Sequence, residues 1–114
     1  MNEFTDHLKD VFRLFGTFAV KRMFSGYGLF RDNLMFGLVV RDTLYLKADA
    51  ESAPAFEKLG RPRFEYQRKG KTASLGYYLA PEAVMEDAAE AARWAKVAYD
   101  AALRRHAAKP LKKL

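Results

Sequence analysis

Between Phe18 and Lys47 the chain offers short apolar runs joined by polar turns too brief for anything but antiparallel strand pairing. Phe18 to Phe24 is extended in character, Ser25-Gly26-Tyr27-Gly28 bends, and Gly28 to Arg31 resumes. Asp32-Asn33 then makes a two-residue turn into the apolar run Leu34 to Val40, and Arg41-Asp42-Thr43 leads back into Leu44-Tyr45-Leu46-Lys47. A parallel crossover needs about a dozen residues or more, which none of these turns supplies. With 18–31 taken as one bent strand, the block is a three-stranded meander. Strict alternation puts Leu34, Phe36, Leu38 and Val40 on one face of its middle segment and Met35, Gly37 and Val39 on the other.

Helical patterns flank this block. Phe4, Leu8, Val11, Phe12 and Phe15 form one apolar stripe over residues 3–15, with Asn2 as cap, Glu3 and Asp6 in the first turn and Gly16 as stop. A short helix is expected from Asp49 to Leu59, capped by Ser52 and ended by Gly60. Phe64 to Arg68 and Ala73 to Leu79 read as two strands around Lys69-Gly70-Lys71, with Leu75, Tyr77 and Leu79 facing one way. Pro81 opens the last helical region, Asp87 caps its long part, and Trp94, Val97, Ala98 and Ala101 form its buried stripe to about residue 106. The order is α-β-β-β-α-β-β-α: an α+β fold in two layers, a five-stranded antiparallel sheet with helices on one face. The opposite face would then carry Met35, Val39, Tyr45 and Tyr78, a contiguous apolar patch that points to a partner or to self-association as a homodimer.

With 114 residues, half of them hydrophobic and 14% aromatic, the chain can bury one core as one domain. The domain is expected over residues 1–106, followed by a basic tail at 107–114. There is no cysteine, which excludes disulfides, thiol nucleophiles and cysteine-ligated metals. No signal peptide and no apolar run of about 20 residues is present, so a soluble cytoplasmic protein with no membrane partner is expected. The net charge of +6 is local: residues 104–114 hold Arg104, Arg105, Lys109, Lys112 and Lys113 and no acid. Taking those five from the 20 basic residues leaves 15 against 14 acidic ones.

Chemistry-bearing patterns are sparse. Only His7 and His106 could serve as imidazole bases, one on the polar side of the first helix and one in the tail, and no nucleophile-elbow pattern accompanies them. Glu86, Asp87 and Glu90 read as acidic residues at a helix start rather than as metal ligands. The glycine-rich Ser25–Gly28 segment is followed by a strand, whereas a phosphate loop needs a helix there. No catalytic residue, metal ligand or cofactor is therefore assigned. Arg61, Arg63, Arg68, Lys69 and Lys71 surround one acid, Glu65, and adjoin Phe64, Tyr66, Tyr77 and Tyr78. Cations interleaved with aromatics are the ingredients of single-strand nucleic-acid binding.

These segments also carry a family resemblance. Arg22-Met23-Phe24-Ser25-Gly26-Tyr27-Gly28-Leu29-Phe30 resembles the R-M-F-G-G-Y-G-L-Y signature of the TfoX/Sxy competence-regulator family, with Ser25 in place of its usual second glycine. Leu44 to Asp49 resembles its L-Y-L-K-A-D stretch; Phe64-x-Tyr66, Tyr77-Tyr78-x-x-Pro81-Glu82 and Glu86-Asp87 with Trp94-Ala95 resemble its later segments. The likeness covers roughly residues 15–102 and is to the family's N-terminal domain. It implies a secretion-chaperone-like α+β fold and a role in regulating competence together with the cAMP receptor protein, without catalysis. Longer members carry a second, helical domain after this one, so a stand-alone first domain is expected.

The function expected from residues and resemblance together is a non-enzymatic protein-interaction module of the transcriptional co-regulator kind. Its partner-binding residues would be Lys21, Arg22, Tyr27, Met35, Val39, Tyr45 and Tyr78, and its partner a protein, such as that transcription factor. The alternative is direct nucleic-acid binding through the basic hairpin at 61–71 and the C-terminal tail.

Overall fold

A computed structural model describes residues 2–23 and 25–108. Phe24 and the tail cations Lys109, Lys112 and Lys113 lie outside the described residues. Helix α1 (Glu3–Val11) is followed by four strands, β1 (Ala19–Met23), β2 (Gly26–Arg31), β3 (Leu34–Val40) and β4 (Thr43–Lys47). Then come α2 (Ala53–Lys58), β5 (Arg63–Arg68), β6 (Lys71–Leu79), the single turn α3 (Ala83–Glu86) and the long α4 (Ala88–Ala108).

The α+β class and the antiparallel pairing match the sequence reading; the strand count does not. Six described strands form one sheet in the order β1-β2-β3-β4-β6-β5, not five. The segment expected as one bent strand is a hairpin, in which Met23 pairs with Gly26 and Arg22 with Tyr27. Gly26 lets β2 lie close against β3, because a Cβ there would lie 1.9 Å from the Val39 carbonyl oxygen. The other hairpin turns use left-handed pairs, Asp32-Asn33, Arg41-Asp42 and Lys69-Gly70, whose positive φ values match the twist of the strands they join.

Residues paired across a sheet share a face, so the register assigns both sides. Leu29, Gly37, Leu46 and Tyr78 form one row, and Gly28, Leu38, Tyr45 and Leu79 form the next. The first row lies under the helices. A bulge corrects the alternation expected for β3: Leu29 pairs with Gly37 but Phe30 with Met35, leaving Phe36 as the extra residue. Phe36 thereby joins Gly37 and Val39 on the helix side, while Met35 joins Leu38 and Val40 on the other.

The helix side packs two aromatic groups. Phe36 lies 6.2 Å from Phe12, 5.2 Å from Phe15 and 5.8 Å from Phe18, ring centre to ring centre. Phe56 of α2 stacks on Tyr78 at 5.3 Å and meets Trp94 of α4 at 4.9 Å. Small residues on α4, including Ala91, Ala95 and Ala98, are fully buried and let that helix lie close to the sheet. Each fully buried large side chain contributes about 1.5–3 kcal/mol.

The caps show where local chemistry was legible. Asn2 caps α1 as expected, and Thr5 completes a reciprocal box: its amide donates to Asn2 Oδ1 and its hydroxyl accepts from the Asn2 amide. The helix stops at Val11, and residues 12–15 continue as turns rather than helix. Before α2 the Asp49 side chain holds the turn that leads into the helix, and Ser52 sits at the cap position. The Asp49 carboxylate accepts from the amides of Glu51 and Ser52, and the Ser52 side chain makes no cap bond. Asp87 accepts from the amide of Ala89 at the start of α4 as expected, and that helix runs to Ala108, past the expected domain edge at 106.

Candidate functional site

One face of the sheet carries no helix. Its strand residues include Lys21 and Met23 on β1, Phe30 on β2, Met35, Leu38 and Val40 on β3, and Tyr45 and Lys47 on β4. Gly28 sits at the centre of this layer. A Cβ at Gly28 would come within 2.7 Å of both Met23 Sδ and Phe30 Cε1, and 3.1 Å from Met35 Sδ. The missing side chain is what lets two methionines and a phenylalanine settle over β2. Met23, Phe30, Met35, Val40 and Tyr45 all remain half-buried.

The β5–β6 hairpin gives this face its relief. Among the described residues β6 pairs with β4 through Tyr77, Tyr78 and Leu79. The hairpin's register is broken between Arg63 and Glu65, and Gly76 on β6 takes φ +76°. Beyond that bend the hairpin curls toward the open face. Phe64 meets Tyr45 edge-on at 5.0 Å and lies near-parallel to Tyr66 at 6.2 Å. The result is a groove of about 450 Å³ between Met23, Leu38 and Val40 on one wall and Phe64, Tyr66 and Arg68 on the other. On the far side of Phe64 and Val40 lies a second hollow of about 410 Å³, bordered by Arg41, Thr43, Tyr45, Arg63 and Glu65.

The residues expected to form a partner surface divide between the two faces. Lys21 stands on the open face, its ammonium 4.8 Å from the centre of the Phe30 ring. Met35 and Tyr45 are there too. Arg22 and its pair Tyr27 lie on the helix side, where Tyr27 packs against the core. Val39 and Tyr78 were expected on the open face, and the structure corrects both: Val39 is 1% exposed and Tyr78 4%, each within the helix-covered core. The β3 bulge moves Val39, and the Phe56 ring of α2 claims Tyr78. The Tyr78 hydroxyl donates to Glu57 at 2.6 Å, and burial with that carboxylate raises its pKa.

The basic hairpin does not present one cationic surface either. Arg61 donates to the Ala80 carbonyl at 2.9 Å, and its Nε is buried with no hydrogen-bond partner among the described residues. The Arg63 guanidinium lies 5.9 Å from the Tyr78 ring centre. Only Arg68, Lys69 and Lys71 stand together and exposed at the hairpin tip. Phe30, Met23, Leu38, Val40 and Phe64 are the open-face residues that sequence reasoning left out of its partner surface. Their face depends on the bulge and the curl, neither of which has a local signal.

Elsewhere, charged groups serve structure. Arg104 donates to both carboxylate oxygens of Asp49 at 2.7 and 3.0 Å, and this pair with the Ser52 bonds holds the Asp49 carboxyl down to about 2. The Tyr99 hydroxyl donates to Asp32 at 2.5 Å, which raises its pKa, and Arg31 lies over the Phe15 ring while donating to the Phe15 carbonyl. Tyr77, buried on the open side, donates weakly to the Met35 carbonyl at 3.3 Å, and desolvation pushes its phenol well upward. Burial also lowers the Lys47 ammonium, with Arg105 nearby adding to the effect. Among the described residues no group of three or more histidine, aspartate or glutamate side chains is placed to hold a metal ion, and no helix is long and apolar enough to cross a membrane.

The model of the TfoX N-terminal domain family matches residues 10–102 of this sequence. The chain belongs to that family. It is 37% identical over 76 residues to DNA transformation protein TfoX1 of Aliivibrio fischeri, a match covering 63% of this chain and 36% of that protein. It is 30% identical over 89 residues to protein Sxy of Escherichia coli K12, covering 78% of this chain and 43% of Sxy. The chain thus spans less than half the length of these curated relatives. The matched segment of the TfoX N-terminal domain contains the whole open face, from β1 through β6, and all but the last residues of α4.

Proposed function

We propose that this TfoX N-terminal-type chain is a non-enzymatic protein-interaction module in a competence-related regulatory system, and that it docks protein on the helix-free face of its sheet. One observation carries the reading: the face left without helices is apolar across β1 to β4 and shaped into a trough by β5. Its centre is Gly28 with Met23, Phe30 and Met35 packed over it. A contiguous set of half-buried apolar side chains with no helix over it points to a binding surface. Methionine suits such a role because its flexible thioether adapts to different partner shapes. Kinship with a DNA transformation protein supports the regulatory context, and action with a transcription factor of the cAMP receptor type would fit it.

Affinity capture from the native cell, run with wild type and with Met35→Lys, tests the proposal. The expected result is a specific co-purifying protein lost in Met35→Lys while the circular dichroism melt stays close to wild type. Retention of every captured protein by the variant rejects this face.

A second reading, direct nucleic-acid binding, rests on the exposed tip cations Arg68, Lys69 and Lys71 beside the near-parallel rings of Phe64 and Tyr66. It requires affinity that falls log-linearly with salt and weakens on Lys69→Glu. Unchanged affinity in that variant rejects it.

A further inference from the structure

Resting on the protein-docking reading above, we infer that the trough takes an acidic peptide segment of a partner, anchored by one large apolar side chain in the first hollow beside Phe64 and met by Arg41 at the more polar second one. The two hollows, of about 450 and 410 Å³, share Val40 and Phe64 as the ridge between them. Two adjoining depressions along a strand face fit a chain with spaced side chains better than one compact small molecule, which would fill a single hollow. Anchoring in such pockets carries most of the energy of a small interface.

Charge selects the partner. The first hollow is lined by one cation, Arg68, and no acid. The second adds Arg41 against Glu65, the guanidinium of Arg63 on its border lying toward the Tyr78 ring. Lys21 and Lys69 stand exposed nearby, on the open face and at the hairpin tip. A second copy of this chain would bring the same cations to the same surface, so face-to-face self-association meets like charge. An acidic segment meets opposite charge, which steers encounter and fixes register. Arg41 holds φ +51°, so its side chain leaves a tight turn from a fixed position at the end of the trough.

The test is selection of phage-displayed random dodecapeptides on the immobilised full chain, followed by fluorescence anisotropy of the most enriched sequences. Enriched peptides should pair a large apolar residue with a surplus of aspartate and glutamate. Ser25→Trp, which places an indole at the exposed lip of the first hollow, should abolish their binding. Reversal of both Arg41 and Arg68 to glutamate should weaken it about tenfold. Enrichment without acidic bias, with binding still blocked by Ser25→Trp, overturns the charge inference and leaves the docking face standing. Peptides insensitive to Ser25→Trp remove the trough from both. Tighter binding of oligothymidylate than of any selected peptide, lost in Arg68→Glu, assigns the trough to nucleic acid instead. A concentration-dependent dimer broken by Ser25→Trp assigns it to a second copy.

Discussion

The two faces of this sheet are built from similar residues and put to different uses. On the helix side, Phe36 is fully buried among three other phenylalanines from the segment that follows α1. On the open side, Phe64 is half-buried against Tyr45, with a groove in front of it. What differs is cover. Residues on the first face have helices to exclude water on all sides, whereas those on the second have only one another and a curled hairpin. Apolar content alone therefore does not tell a core from a docking surface; the number of layers does.

That contrast can be broken most directly at Phe36. Phe36→Ala should cost about 3–5 kcal/mol, read as a lower urea midpoint at unchanged slope. A cost below that of an open-face truncation would mean the aromatic group is not the core described here. Gly26→Ala comes next, because its Cβ would meet backbone 1.9 Å away and not a movable side chain. Overpacking of this kind should destabilise by about 1–3 kcal/mol, measured by thermal melting, and a neutral result would refute the close approach of β2 to β3. Phe64→Ala sharpens the comparison from the other side. Its ring is already partly in water, so a loss of about 1–2 kcal/mol is expected together with loss of partner capture.

Smaller effects come from charge. Asp49 is held at about 2 by Arg104, below the ordinary aspartate value. The stabilisation it provides is therefore complete above about pH 4 and is lost as pH falls through about 2. Urea titrations across that window should show a slope for wild type that is reduced in Asp49→Asn; identical slopes would disprove the pairing. The exposed Lys96–Asp100 pair on α4, 2.9 Å apart, is the control. Asp100→Asn should change stability by less than about 0.5 kcal/mol, by the same titration, since solvent screens the pair.

Much of the fold was legible in the residues. Asn2 and Asp87 as caps, Asp32-Asn33 and Lys69-Gly70 as turns, and the α+β class all follow from preferences that act within a few positions. The basic stretch at 61–71 was legible as composition, yet its cations went to separate tasks: Arg61 to a carbonyl, Arg63 to the Tyr78 ring and Arg68 to the groove. Charge counted along a chain does not say which side of a strand each charge reaches.

By itself the sequence determined the caps of α1 and α4, the turns at Asp32-Asn33, Arg41-Asp42 and Lys69-Gly70 and which family the chain resembles, because those depend on local hydrogen bonding and backbone preference. Tertiary structure alone decided which apolar residues became surface. The bulge at Phe36 broke the parity of β3, sending Val39 inward while Met35 stayed on the open face as expected, and the bend at Gly76 carried Phe64 and Tyr66 over that face. A strand has a period of two, so one extra residue exchanges its faces. Whether that residue is accommodated is settled by what packs on each side.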